Sequence, residues 1–180
     1  SGQDTNKTRM RDSTLSALAE GTSVLYQETE LCVVYLDGTY WGHYNIRERI
    51  NTASICQFEG WEGDEDNIDL VKANTNVMQG SNDTFAKLVE WVQKNDTNTD
   101  EAYQVIGSII DIQNYIEYMA IQMYTGNTDT LNVKRYRNSN ADGKWRWVLF
   151  DLDWAFHEDT NSVRRWLAPG GMGNGLRTDN

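Results

Sequence analysis

An α+β fold is predicted by three features of the sequence. Two strand-like runs meet at an Asp-Gly turn, three capped helical periods follow, and the period then reverts to that of strands. At 180 residues the chain is about one domain long, enough to bury a core without disulfide or metal staples. Cys32 and Cys56 make no disulfide framework, and Cys32, inside an apolar run, reads as a buried free thiol. Sixteen Lys and Arg against 27 Asp and Glu leave a net charge of −11, which argues against a sequence-independent grip on nucleic acid. No apolar run reaches the roughly 18 residues of a membrane span, so membrane insertion is not expected. Seven Trp and nine Tyr are too many for a disordered acidic tail.

In chain order, a short helix from about Ser13 to Glu20 carries Leu15 and Leu18 on one face and stops at Gly21. Leu31–Leu36 and Thr39–Ile46 flank Asp37-Gly38, a pair suited to the type I′ turn of a β-hairpin. The second strand runs into the charged group Arg47-Glu48-Arg49. Residues 57–82 read as an acidic connecting segment. Asp64 and Asp66 invite a calcium-loop reading, but Ile68 stands where a third oxygen ligand is needed, so a solvated loop is the better expectation. Asp83 caps a helix to about Lys94 with Phe85, Leu88, Val89 and Val92 on its apolar face, and Asp100 caps another to about Ile109. A third runs from Asp111 through Tyr124, with Ile112, Tyr115, Ile116, Met119, Ala120 and Met123 as a core-facing stripe and Gly126 as its stop. Val133–Arg137 and Trp145–Phe150 are strands joined by a turn over 138–144, with Trp145 and Trp147 packing in that hairpin. From Gly170 a Gly-rich tail follows that matches no phosphate-loop pattern.

Chemistry concentrates at two acidic clusters. One, Gly126–Asn132 with Asp129, directly follows the third helix; the other, Asp151-Leu152-Asp153, directly follows the last apolar strand. The hairpin between them can bring Asp129, Asn132, Asp151 and Asp153 to one end of a small sheet. A loop, a hairpin and an acidic loop in that order is the layout of protein-kinase phosphoryl-transfer sites. Hard oxygen ligands suit Mg²⁺, which is satisfied by one or two carboxylates together with phosphates. His43 and His157 are isolated from other His or Cys in the sequence, so a zinc site is not expected.

Several of these segments together resemble the spore-coat protein H (CotH) kinase family. They are Asn45-Ile46-Arg47-Glu48-Arg49 after Trp41-Gly42, Gly126-Asn127-Thr128-Asp129 with Asn132, and Lys144-Trp145-Arg146-Trp147 leading into Asp151-Leu152-Asp153. The polar start with Arg11-Asp12 is similar to the family's segment ahead of the hairpin, and the similarity runs over about residues 1 to 160. The resemblance implies an atypical, secretory-type protein-kinase-like fold in a secreted, cell-surface or spore-coat bacterial protein. It implies ATP with Mg²⁺ or Mn²⁺ as cofactors and Ser/Thr of a protein as substrate. Asp129 resembles the family's catalytic aspartate. Asp151 or Asp153 resembles its metal-binding aspartate, and Asn132 resembles the loop asparagine that helps hold metal. Glu48 resembles the glutamate that pairs with a phosphate-binding Lys, and Lys134 stands where it could reach phosphate.

The expected organisation is one partial kinase-like domain over 1–180, truncated at the N-lobe, whose phosphate-covering strands would lie upstream of Ser1. Residues 1–56 form an N-lobe remnant, 57–82 the acidic connection, 83–160 the helical region with the active-site hairpin, and 161–180 the tail. Two other readings stay open: a catalytically inactive kinase-like interaction domain, and a calcium-stabilised adhesion or carbohydrate-binding module presenting Trp41, Trp61 and Trp166. The oligomeric state is not legible.

Overall fold

In the computed structural model of the protein, residues 4–73, 75–129, 132–157 and 161–167 are described. Among them, the chain forms six α-helices, a mixed five-stranded sheet and a separate two-stranded sheet, an α+β arrangement. None of these helices is long and apolar enough to cross a membrane.

The large sheet has the order β1-β7-β6-β4-β5. Its strands are β1 (Leu25–Tyr26), β4 (Ile68–Lys72), β5 (Asn76–Gln79), β6 (Lys134–Asn138) and β7 (Arg146–Leu149). Only the β1–β7 pairing is parallel. Alternation along β7 shows that both faces are covered. Trp147 and Leu149 enter one core with Trp145, Phe85 and Leu88, whereas Val148 and Phe150 enter the other with Ile55, Cys56, Ile68 and Tyr136. The first core is roofed by α3 (Asp83–Lys94), α4 (Asp100–Ile109) and α5 (Ile112–Thr125), and the second by α2 (Thr52–Glu59). Arg135 lies on the first face, fully buried, with its guanidinium 3.9 Å from the Phe85 ring centroid and Nη2 donating to the Ala73 carbonyl. Burial lowers its pKa to about 10.

Residues 57–82 are not a connecting loop. They hold the end of α2, the 3₁₀ turn Glu65–Asn67, and strands β4 and β5, with β4 between β6 and β5 in the sheet. Asp64 accepts from Nδ2 of Asn67, Asn138 and Asn140. These amides hold its pKa below the usual carboxylate range and tie the 3₁₀ turn to the end of β6.

The other elements follow the sequence with local corrections. The first helix, α1 (Arg11–Ser16), tightens into a 3₁₀ turn at Ala17–Ala19, which leaves Leu18 exposed while Leu15 stays buried. Thr99, not Asp100, caps α4 through Ala102 N, and Asp83 lies inside the first turn of α3 without capping it. Asp111 caps α5 as expected, and Gly126 closes it in the left-handed region at φ 57°. Four residues of the expected stripe on α5 do pack on the core, Met119 buried and Ile112, Tyr115 and Met123 partly so, but Ile116 and Ala120 are exposed, and Asn114, Tyr118, Ile121, Gln122 and Thr125 point inward beside them. Part of the segment expected as tail forms α6 (Ser162–Leu167), whose Trp166 is buried, while the Gly-rich stretch from Gly170 lies outside the described residues.

Strands β2 (Thr29–Leu36) and β3 (Thr39–Arg47) form the expected hairpin, with Asp37 and Gly38 both at positive φ in the turn. Much of its surface is open, Trp41 included, and Cys32 is not buried as expected. Val33, Trp41 and Ile46 are 60%, 61% and 63% exposed, and Cys32 is only half-buried.

One buried amide ties α5 both to the last strand and to the segment entering β1. The fully buried Asn114 accepts from Trp147 N at 2.7 Å and donates from Nδ2 to Ser23 O at 2.8 Å, extending the β1–β7 ladder beyond the start of β1. Asn114→Leu leaves a buried N–H and a carbonyl unpaired. It is expected to cost about 3 kcal/mol in urea unfolding, with Asn114→Asp intermediate because it keeps only the acceptor.

Candidate functional site

The site sits where two loops meet at the end of β6 and β7. The first leaves α5 through Gly126. Asn127, almost fully buried, accepts from Asp129 N at 3.1 Å and so shapes the turn that presents Asp129. The second leaves β7 at Phe150 and turns at Asp151, whose φ of 60° places a non-glycine residue in the left-handed region. That conformation costs on the order of 1 kcal/mol and persists only where the surroundings impose it. Trp145 and Trp147 are fully buried in the core, as expected for packing in the hairpin.

One side chain connects the loops. Nδ2 of Asn132 donates to Asp129 Oδ2 at 2.8 Å and to Asp151 Oδ2 at 2.8 Å. Asp153, nearly fully buried, hydrogen-bonds to Asp151. The buried Asp12 of α1 adds a fourth carboxylate, with Oδ1 accepting from Leu152 N at 2.7 Å and Oδ2 paired with Arg47. Burial, followed by the charges of Asp153, Asp12 and Asp129, pushes the Asp151 carboxyl up to about 6.

Cations face this group. Lys134 lies 4.6 Å over the Phe150 ring; burial lowers its pKa, Lys72 and Arg49 lower it further, and Asp151 opposes them. Lys72 stands directly across from Lys134 in the β4–β6 register. Arg49 comes from the stretch after β3, so positive charge from three segments gathers around Lys134.

Thus Asp129, Asn132, Asp151 and Asp153 are brought together, with Lys134 adjoining. Glu48 is not part of the group. It makes no ion pair among the described residues, and burial together with Glu28 raises its pKa. The candidate residues that sequence reasoning left without a role are Asp12, Lys72 and Arg49. Lys72 ends an Ile-Asp-Leu-Val-Lys run whose strand character was the available signal; nothing local marks Asp12 as a partner of residue 152.

The donor set at Asp151 and Asp153 is hard oxygen, which suits Mg²⁺ or Mn²⁺. Among the described residues no group of three or more His, Cys, Asp or Glu is arranged to hold a metal ion alone. A cation here would therefore take further oxygens from phosphate and water, as Mg²⁺ does in nucleotide sites. The Asn132 amide turned over would offer its oxygen in place of its nitrogen.

Carboxylates clustered around a left-handed turn, with Lys134 beside them, are thus carried on an α+β scaffold. The chain belongs to the CotH kinase family, whose family model, described as CotH kinase protein, matches residues 1–178. No curated protein matches it.

The fold favours the protonated Asp151 carboxyl, so this group's stabilising contribution is present below the unfolded value near pH 3.9 and is lost as pH rises through about 6. Asp151→Asn, which mimics the protonated form, is expected to melt higher than wild type at pH 7.5 without added metal. The difference should shrink towards pH 4 in thermal scans.

Proposed function

We propose that the protein is a Mg²⁺- or Mn²⁺-dependent phosphotransferase that moves the γ-phosphoryl of ATP to a Ser/Thr hydroxyl of a protein. The observation that carries this reading is the Asn132 amide held between Asp129 and Asp151. It sets a carboxylate suited to a hydroxyl proton beside one suited to a cation, each on its own loop.

In this reading Asp129 orients the acceptor hydroxyl and accepts its proton. Asp151 and Asp153 would hold the divalent cation, with Asn132 as a further ligand through its oxygen. The cation, when bound, neutralises charge on the phosphates. Lys134, joined by Lys72 and Arg49, offsets the remaining phosphate charge, since phosphoryl transfer relies on positioning and electrostatics more than on covalent help from the protein. Burial, reinforced by repulsion among the clustered carboxylates, accounts for the direction of the Asp151 shift.

One observation favours a second reading, a kinase-like interaction domain without turnover: Glu48 has no lysine partner among the described residues, although the resemblance assigns it one. The adhesion reading loses two of its supports, because Trp166 is buried and Asp64 is engaged by three amides.

Calorimetry with Mg·ATP and transfer of labelled γ-phosphate to a general protein acceptor, using the full-length protein, separate these readings. Wild type is expected to bind Mg·ATP. Asp151→Ala should lose that binding, and Asp129→Asn should keep it while losing about 10²–10⁴-fold in transfer. Absence of any Mg-dependent nucleotide binding refutes the phosphotransferase, whereas binding without transfer points to the interaction domain.

A further inference from the structure

Asp12 is only 4% exposed and sits in the first turn of α1, 140 residues from the backbone amide that it binds. That amide, Leu152 N–H, belongs to the peptide between Asp151 and Leu152. The orientation of this peptide is set by the backbone angles of Asp151, the residue in the left-handed region. Its other flank is also held, because Leu152 O accepts from Ala155 N at 3.0 Å and the Leu152 side chain is fully buried. With the peptide fixed on both sides, the backbone that carries Asp151 and Asp153 cannot relax to an ordinary conformation.

The second oxygen of Asp12 does a different job. It pairs with Arg47, the last residue of β3, immediately before Glu48 and Arg49. A neutral acceptor would also bond Leu152 N–H, though more weakly; a carboxylate is needed to hold a guanidinium as well. Asp12 also adds negative charge beside Asp151, which no stabilising role for the acid loop by itself would favour.

Building on the phosphotransferase reading for its purpose, we propose that Asp12 is a positioning residue. Its bond to Leu152 N–H holds Asp151 in the left-handed conformation that presents Asp151 and Asp153 together to a divalent cation. Its pair with Arg47 sets the β2–β3 hairpin, and with it Arg49, against that loop. Asp12 touches neither substrate nor phosphate and acts through the loop.

The test measures the loop and the ligand separately. Amide hydrogen exchange at Leu152 is read in wild type, Asp12→Ala, Asp12→Asn and Asp64→Ala; the last removes a half-buried acid held by three amides at the far end of β6 and serves as a stability control. Asp12→Ala is expected to speed Leu152 exchange by about tenfold or more. Asp12→Asn, whose amide oxygen still accepts, should fall between it and wild type, and Asp64→Ala should leave Leu152 unchanged. Mg·ATP affinity, titrated calorimetrically, should follow the same order, with Asp12→Ala weaker by about tenfold. Should Asp12→Ala leave Leu152 exchange at the wild-type rate, or Asp64→Ala accelerate it equally, the positioning role is wrong. Should wild type bind no Mg·ATP, the phosphotransferase reading falls, and the Leu152 exchange alone still decides whether Asp12 positions the loop.

Discussion

The Asn114 amide links the three parts of the molecule on which the site's geometry depends. It is anchored in α5, whose last turn releases the Asp129 loop. It accepts from β7, whose last residues release the Asp151 loop, and it donates to the segment entering β1. Because the amide is fully buried, its two hydrogen bonds have no competition from water, and α5 cannot slide or rotate on the sheet without breaking both. The Asn132 bridge is a consequence of that register. Its two 2.8 Å bonds require the loops to arrive at one place, and they arrive there because helix and strand are pinned near their starts.

The same amide explains an error in reading α5 from its sequence. Apolar periodicity placed Ile112, Tyr115, Met119 and Met123 on the core correctly but included Ile116 and Ala120, which are exposed, and missed the polar residues Asn114, Gln122 and Thr125 that the helix turns inward. Periodicity measures transfer to an apolar medium and cannot register a polar group whose partners lie about 30 and 90 residues away. The hairpin, the three central helices and the last two strands were legible because each declares itself locally, by an Asp-Gly turn, a cap, a glycine stop or a strand period. Strands β4 and β5 were hidden by the acidic stretch before them. Ile68 was weighed only as a failed ligand, although Ile68, Leu70 and Val71 are core residues of a central strand.

The candidate site divides along the same line. Asp129, Asn132, Asp151 and Asp153 flank one hairpin, so chain order alone suggested their convergence. Asp12, Arg49 and Lys72 come from separate segments and join through the parallel β1–β7 pairing, the hairpin exit and the β4–β6 register, none of which a local pattern encodes. Glu48, which the resemblance likens to a glutamate paired with a phosphate-binding Lys, makes no ion pair among the described residues, and the resemblance offered no role for the Asp12 that the structure buries against the acid loop.

The contact between Asp12 and Leu152 closes a chain segment of 140 residues, and the entropy of such a closure is about 4 kcal/mol. On a ribosome, synthesis proceeds from the N-terminus, so α1 and the hairpin emerge long before residue 152 exists. Arg47 can find Asp12 early, but the second oxygen of that carboxylate waits for nearly the whole of the described chain. Assembly of the acid cluster is thereby tied to completion of synthesis, and a nascent chain released before β7 would carry the hairpin and most helices with no means of gathering its carboxylates around a cation.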